Sequence, residues 1–226
     1  MQRMNYLAAA FCILFVAVFS QAKDNTESAF APKLPQVLIK DITDQVLAAI
    51  VLADTYYQED PERFYVEIEN IMAPVMDYQT FARTVMGRYG SSNAYRTLKT
   101  DQERAQFKAR VQDFTKVFRQ TIMNTYGKGL MAFNGEKITV LPLDDENAAK
   151  VDAGDYVQVV QVIHSEDGSD TKIYYKLKPN RDGAWKMRNV VIDTINLGKV
   201  YQSQFASAVK DSNGDIDKAI MAWAES

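Results

Sequence analysis

Apolar residues recur every three or four positions through the first half of the chain, which is the spacing of the buried face of an α-helix. The first series predicts a helix from about Gln36 to Tyr57. Asp60 followed by Pro61 is an N-cap with proline at the first helical position, so a second helix is expected there. Asp77 predicts the N-cap of a short third helix that ends near Gly87 or Gly90.

The longest predicted helix begins at a capping-box pattern, in which Thr100 is followed three residues later by Glu103. Charged residues fall mostly on the outer faces of this helix. Its apolar face is unusually aromatic and consists of Phe107, Val111, Phe114, Val117, Phe118, Ile122 and Tyr126. The helix is therefore expected to pack along much of its length against the rest of the protein.

After Gly135 the spacing of apolar residues changes from about 3.6 to 2, which is typical of half-buried strands. Strands are predicted at 137–143, 156–164, 171–178 and 185–197, followed by helices at 199–210 and 215–224. Helices, then an antiparallel meander, then helices again indicate an α+β fold. We expect helices packed on a curved antiparallel sheet of about four strands, with an apolar pocket between them.

The N-terminus has the pattern of a secretory signal peptide. Arg3 precedes an apolar run from Leu7 to Phe19, which is shorter than the roughly 20 residues that span a bilayer. Ser20 and Ala22 supply small residues for cleavage after Ala22. The predicted organisation is a removed signal peptide at 1–22, a flexible leader at 23–35 and a single domain at 36–226.

The amino-acid composition excludes some classes of partner and of metal site. The 226 residues include 26 Lys and Arg, 29 Asp and Glu, one His and one Cys. This slightly acidic balance argues against a nucleic-acid partner, and one Cys with one His cannot supply most ligands of a zinc site. No metal, nucleotide or other cofactor is expected. Cys12 lies within the signal peptide, and an exported chain without cysteine favours the bacterial periplasm.

His164 is the single histidine and is predicted at a strand end. A role as general base is one hypothesis. The chain has no G-x-S-x-G nucleophile motif, however, and a solvent-facing histidine next to a turn explains the position more simply.

Asp211, Asn213 and Asp215 alternate as at the start of a calcium loop. The glycine and the closing carboxylate of such a loop are absent, so Asp215 is interpreted as the N-cap of the last helix.

One further feature is a set of large apolar residues at helical or strand spacing. Its members are Phe81, Met86, Tyr89, Phe114, Phe118, Tyr126, Tyr175, Trp185 and Met187. Such residues usually form a core, although they are also the lining that a ligand cavity needs. The spacing by itself leaves both interpretations open.

Three stretches together carry a family resemblance. The first runs from Pro74 to Tyr89 with the pattern P-x-x-D-Y-x-x-x-A-x-x-V-M-G-x-Y. The second is the long helix and its end, with Phe107, Phe114, Tyr126, Leu130 and Gly135. The third is Trp185-Lys186-Met187, followed by Val191, Ile192, Asp193, Leu197, Tyr201, Ser203, Gln204 and Phe205. With the predicted signal peptide, they resemble the MlaC or toluene-tolerance family of periplasmic phospholipid-binding proteins, over about Gln36 to Trp223.

The resemblance implies a shuttle that carries phospholipid between an outer-membrane lipoprotein-porin complex and an inner-membrane ABC transporter with a substrate-binding ring protein. Such transport would maintain the lipid asymmetry of the outer membrane. It also implies a lipid-binding pocket, for which the candidate lining residues are Phe81, Val85, Met86, Tyr89, Phe114, Val117, Phe118, Ile122, Tyr126, Tyr175, Trp185, Met187, Val191 and Ile195.

Two other functions are compatible with the residues. The chain could be a periplasmic enzyme with a cone-shaped apolar pocket that uses His164 or a buried carboxylate. It could also be a structural adaptor whose apolar stripe binds partner helices. The resemblance favours the carrier over both, and no catalytic residue is expected.

Overall fold

The structure, a computed structural model, describes residues 33–133, 135–165 and 168–224. The predicted signal peptide and the predicted leader as far as residue 32 lie outside these ranges. The helices within them are α1 (Pro35–Ala53), α2 (Pro61–Met72), α3 (Tyr78–Met86), α4 (Ser92–Thr97), α5 (Asp101–Leu130), α6 (Asp145–Asp152), α7 (Leu197–Asp211) and α8 (Ile216–Ala224). None of the described helices is long and apolar enough to cross a membrane.

The predicted helix starts are confirmed by their side-chain caps. The Asp60 carboxylate accepts a hydrogen bond from the Arg63 N–H at 3.2 Å, and Asp77 and Asp215 cap α3 and α8 in the same way. At α5, both bonds of the capping box between Thr100 and Glu103 are present. Each cap satisfies a backbone N–H that the helix itself leaves without a partner.

Five strands form one antiparallel sheet in the order of the chain. They are β1 (Lys137–Val140), β2 (Val157–His164), β3 (Thr171–Pro179), β4 (Trp185–Ile192) and β5 (Ile195–Asn196). Helices packed against this sheet confirm the α+β fold. The fifth strand is short, and it comes from the C-terminal part of the long strand predicted at 185–197.

That predicted strand is interrupted because the chain turns at Asp193. This residue has a positive φ of 52°, and its backbone N–H donates to the Lys172 carbonyl at 2.7 Å. Its carboxylate accepts from the Lys172 N–H at 2.9 Å. These bonds hold the turn against β3, and β5 then pairs back on β4.

Two short helices are absent from the prediction. The first is α6, which begins at the acidic run Asp144–Glu146, where the Asp144 carboxylate accepts a hydrogen bond from the Asn147 N–H at 2.7 Å. The second, α4, is capped by Ser91 in the same way. Neither helix has a buried residue, so neither shows the apolar periodicity on which the prediction depends.

A β-bulge in β4 changes which of its side chains face the helices. Lys176 pairs with Asn189, whereas the next residue of β3, Leu177, pairs with Met187. Arg188 is therefore an extra residue in β4. Because side chains alternate along a strand, this insertion moves the inward positions after Met187 from odd to even numbers.

The buried apolar residues form two clusters. In the larger one, α3, α5, α7 and α8 meet around aromatic rings, with the rings of Phe114 and Phe205 4.5 Å apart and those of Phe81 and Phe118 5.1 Å apart. In the smaller one, α1, α2 and the end of α5 pack around Phe64.

Candidate binding cavity

A cavity of about 470 Å³ lies between α1, α2, the second half of α5 and the sheet. Its size is within the range of small-molecule binding sites. Almost all the side chains that line it are aliphatic or aromatic. The cavity therefore offers an environment for an apolar ligand.

The helical walls come from faces whose periodicity is visible in the sequence. From α1 they include Ile39, Ile42, Val46, Leu47 and Ile50. From α2, α3 and the connection between them they include Ile68, Met72, Met76, Tyr78 and Phe81. From α5 they include Ile122, Met123, Tyr126, Gly127 and Leu130. Part of the apolar face of each of these helices therefore lines the cavity and is not covered by another helix or strand.

The sheet forms the opposite wall, and the register after the bulge determines its side chains. The residues that line the cavity from the sheet are Ile138, Gln161, Ile163, Ile173, Tyr175, Met187, Val190 and Ile192. Val190 pairs with Tyr175, and Ile192 pairs with Ile173. The bulge thus turns two aliphatic side chains toward the cavity.

A short hydrogen-bonded chain of polar groups crosses this apolar lining. The Tyr175 hydroxyl donates to Gln161 Oε1 at 2.7 Å, and Gln161 Nε2 donates to Thr43 Oγ1 at 2.6 Å. The Thr43 hydroxyl donates in turn to the Ile39 carbonyl at 2.8 Å. Burial raises the pKa of Tyr175, so this hydroxyl stays protonated and remains a donor. This series of hydrogen bonds links the sheet to α1 across one side of the cavity.

A second tyrosine of the lining is held on the helical side. The Tyr78 hydroxyl donates to Glu69 Oε2 at 3.3 Å, and Glu69 also forms an ion pair with Arg119. Burial first, and then the Glu69 carboxylate, raise the pKa of Tyr78. The ring of Tyr78 thus contacts the cavity while its polar end is bonded to α2.

The lining residues that are exposed to solvent lie together at the end of α5. Gly129 and Ala132 are exposed, and Leu130, Phe133 and Glu136 are half-buried. The cavity therefore opens to solvent beside this segment. Among the described lining residues, Glu136 is the single ionisable carboxyl group, and it belongs to this rim.

The structure places five of the fourteen candidate lining residues at the cavity: Phe81, Ile122, Tyr126, Tyr175 and Met187. Seven others belong to the larger core cluster or pack against it: Val85, Met86, Tyr89, Phe114, Val117, Phe118 and Trp185. Val191 lies on the opposite face of the sheet because of the bulge, and Ile195 of β5 is exposed. The aromatic stripe of α5 therefore faces the core in its first part and the cavity in its last part.

The candidate list lacks the cavity residues of α1 and α2. Periodicity predicts the apolar faces of both helices but does not indicate what covers them. Gln161 is missing as well, because a buried polar residue in a strand has no periodic signature. Tyr175 and Gln161 are bonded to each other across neighbouring strands, and that contact is visible only in the fold.

His164 belongs to the other face of the sheet, since it alternates with the cavity residues Gln161 and Ile163 along β2. One ring nitrogen, Nε2, is 3.0 Å from Thr139 Oγ1, and Nδ1 is 3.0 Å from Asp170 Oδ2. These partners hold the ring at the surface. The group suggested for the enzyme hypothesis does not face the apolar cavity.

Comparisons with known proteins give relatives of this chain in sequence and in fold. The toluene tolerance protein ttg2D of Pseudomonas putida is 29% identical over 194 residues, which is 86% of this chain and 81% of the relative. A phospholipid-binding protein from Ralstonia solanacearum, solved in complex with a phospholipid, shares the fold at a TM-score of 0.65 and 19% identity. That similarity covers 84% of this chain and 94% of the solved one. The family model described as MlaC protein matches residues 40–225, and since this is most of the sequence, the chain belongs to the MlaC family.

Proposed function

We propose that the chain is a periplasmic carrier that holds a phospholipid by its acyl chains in the apolar cavity. The observation that supports this most strongly is the lining, which is almost entirely aliphatic and aromatic and whose single carboxyl group, among the described lining residues, lies at the rim. The headgroup would remain in solvent near Gly129 and Ala132. Family membership and the phospholipid bound to the Ralstonia solanacearum protein point in the same direction.

The energetics of acyl chains favour delivery by direct contact. At about 0.8 kcal/mol per methylene, moving two chains of ~14 methylenes each into water costs on the order of 20 kcal/mol. Release into solvent would therefore be negligible. The lipid would leave only when a docked partner offers a continuous apolar path from the opening of the cavity.

The partners that family membership suggests are an outer-membrane lipoprotein-porin complex and an inner-membrane ABC transporter with its substrate-binding ring protein. In this proposal the chain exchanges phospholipid between them and so maintains the lipid asymmetry of the outer membrane. Energy would come from the transporter, so the carrier needs no catalytic residue, metal or nucleotide. The signal peptide predicted at 1–22 would direct the chain to the periplasm.

Native mass spectrometry of protein purified without detergent tests the binding step. We expect an adduct with the mass of one phospholipid, which solvent extraction then identifies. Val46→Glu places a carboxylate in the cavity wall and should abolish the adduct, because a charge buried among apolar groups is strongly disfavoured.

Val51→Glu is the matched control, since Val51 lies on the same helix with 71% of its surface exposed and does not line the cavity. It should retain the adduct. A folded wild-type protein that carries no lipid and takes none from vesicles would refute the proposal. Equal lipid retention by the two variants would show that the lipid binds elsewhere.

A further inference from the structure

A second concave site lies on the other part of α5, away from the apolar cavity. It is a groove of about 550 Å³ between α3, α4 and the first half of α5. Lys108 lines the groove and Ile122 lines the cavity, and these residues are 14 positions apart on one helix, a rise of about 21 Å. The groove is therefore separate from the site of the proposed carrier function.

The polar lining of the groove is cationic. Arg83 from α3, Arg96 from α4 and Lys108 from α5 converge on it, together with Gln79, Ser92 and Tyr95. No carboxylate is among its described lining residues. Within the part of the chain that the structure describes, none of the three cations forms an ion pair.

One of the cations is already fixed in place. The half-buried Arg83 donates from Nε to the Gly90 carbonyl at 2.8 Å and from Nη2 to Ser92 Oγ at 3.1 Å. The Lys108 ammonium lies 5.8 Å from the centre of the Tyr95 ring, which itself packs on Phe107. Groups held in this way lose little conformational entropy when an anion binds.

The charge of the surrounding sequence supports an anionic ligand. Residues 83–110 include seven Arg and Lys but two Asp and Glu, in a chain whose formal net charge is -3, and one of the seven, Arg110, is paired with Asp217 of α8. Both acids already have partners, because Asp101 pairs with Arg104 and Glu103 closes the capping box at Thr100. The chain is therefore negative as a whole but has a local excess of positive charge around this groove.

We propose that this groove binds a phosphate group. Two guanidinium groups, an ammonium group and a hydroxyl group can surround the several oxygens of a phosphate, whereas a carboxylate would satisfy one guanidinium. The phosphate could belong to the headgroup of an anionic phospholipid in a bilayer or to a soluble phosphate ester. The inference goes beyond the carrier proposal and does not depend on it.

Two measurements on the full chain distinguish the sources of phosphate. In the first, inorganic phosphate is titrated while backbone amide resonances are followed by NMR, and saturable shifts are expected within residues 79–111. In the second, the protein is sedimented with vesicles of phosphatidylcholine, either pure or containing phosphatidylglycerol. Preference for the anionic vesicles, with competition by inorganic phosphate, assigns the lipid headgroup. Phosphate binding without vesicle binding assigns a soluble ester.

The test variant is the double substitution Arg96→Gln and Lys108→Gln, which removes two exposed cations without disturbing the bonds of Arg83. The matched control is Arg181→Gln and Lys210→Gln, which removes the same charge from exposed positions outside the groove. The groove variant should bind at least about tenfold more weakly, because each lost charge-assisted bond contributes more than a neutral one. The control should bind within about twofold of wild type, as expected for screened surface charges.

Equal weakening by the two double variants would overturn the proposal, since it would show that net charge alone is responsible. The absence of both phosphate-dependent shifts and a preference for anionic vesicles would also overturn it. Amide resonances of the groove variant that match those of wild type outside residues 79–111 check that its fold is intact. This readout does not depend on bound lipid, so failure of the groove is separate from failure of the carrier proposal.

Discussion

Gln161 is the residue at which the cavity departs most from an apolar lining. It is 4% exposed, and both ends of its amide are bonded, to Tyr175 and to Thr43. A buried polar group with satisfied partners contributes little net stability, but its loss leaves those partners without bonds. This residue therefore couples the stability of the sheet to the position of α1.

Replacing Gln161 with Leu should lower the free energy of unfolding by about 1–3 kcal/mol, because the part-buried Tyr175 hydroxyl would lose its acceptor. Urea unfolding measures the change. Gln158→Leu is the control on the same strand, where the side chain is exposed, and it should have little effect. Adding Tyr175→Phe to Gln161→Leu should recover part of the loss. Equal destabilisation by the two Leu variants would contradict this role.

At the same scale, the sequence predicts burial better than it predicts what a buried residue contacts. Phe118 and Ile122 are one helical turn apart on the same predicted face. The Phe118 ring packs among Phe81, Phe114 and Tyr201, whereas Ile122 lines the cavity. Periodicity is the same for a face covered by protein and a face covered by ligand. The distinction depends on whether another element covers that part of the helix, as α7 does at Phe118 through Tyr201, and this is a property of the fold.

As an element, α5 serves two functions along its 30 residues. Its first part builds the aromatic core with α3, α7 and α8, and its second part forms a cavity wall. Phe118→Ala should therefore cost about 3–5 kcal/mol, as expected for a fully buried aromatic residue. Ile122→Ala removes half-buried methylenes at the cavity and should cost about 1–2 kcal/mol. Chemical denaturation of both variants tests the division, and similar costs would contradict it.

The contact between α5 and α8 includes an ion pair between Arg110 and Asp217. Two parallel bonds of 2.7 Å join the guanidinium to the carboxylate, and hydrogen bonding from Arg110 lowers the pKa of Asp217. Both side chains are more than a third exposed, so solvent screens the pair. Its contribution is expected to be small.

A double-mutant cycle of Arg110→Gln and Asp217→Asn should give a coupling energy of about 0.5 kcal/mol at neutral pH. A carboxyl whose pKa is lower in the folded state stabilises the fold above its unfolded pKa, and this stabilisation is lost as the pH falls through the folded value. The coupling should therefore persist at neutral pH and disappear below the ordinary aspartate value of 3.8. A coupling that does not change with pH would show that another contact is responsible.

Among the elements, the sequence predicts those with a buried face and misses those without one. The helices α1, α2, α3, α5, α7 and α8 and the strands β1 to β4 follow apolar periodicity. The helices α4 and α6 depend on local caps alone. The bulge at Arg188 cannot be predicted from an alternation of period two. Because of it, Val190 and Ile192 face the cavity in place of odd-numbered residues of β4.

For the whole molecule, the cavity means that part of the apolar surface of α1, α2 and the sheet has no protein partner. The aromatic part of the larger core cluster, around Phe114 and Phe205, lies outside the cavity lining, so it can hold the fold together when the cavity is empty. A ligand that fills the cavity would complete the burial of the remaining helices. Binding and stability are therefore expected to be linked.

Removal of bound lipid should lower the thermal unfolding temperature of the protein. A ligand that binds only the folded state stabilises it by RT ln(1 + [L]/Kd), which reaches about 4 kcal/mol at a thousandfold excess over Kd. Calorimetry measures the difference between the protein as purified and the protein after unfolding in denaturant, removal of lipid and refolding, and reloading from vesicles should restore the higher temperature. The Val46→Glu variant has a charge in the cavity wall, so its unfolding temperature should not change when lipid is offered. The unfolding temperature of the Val51→Glu variant should rise as in wild type. If lipid-free and loaded wild-type protein unfold at the same temperature, lipid binding does not contribute to the stability of the fold.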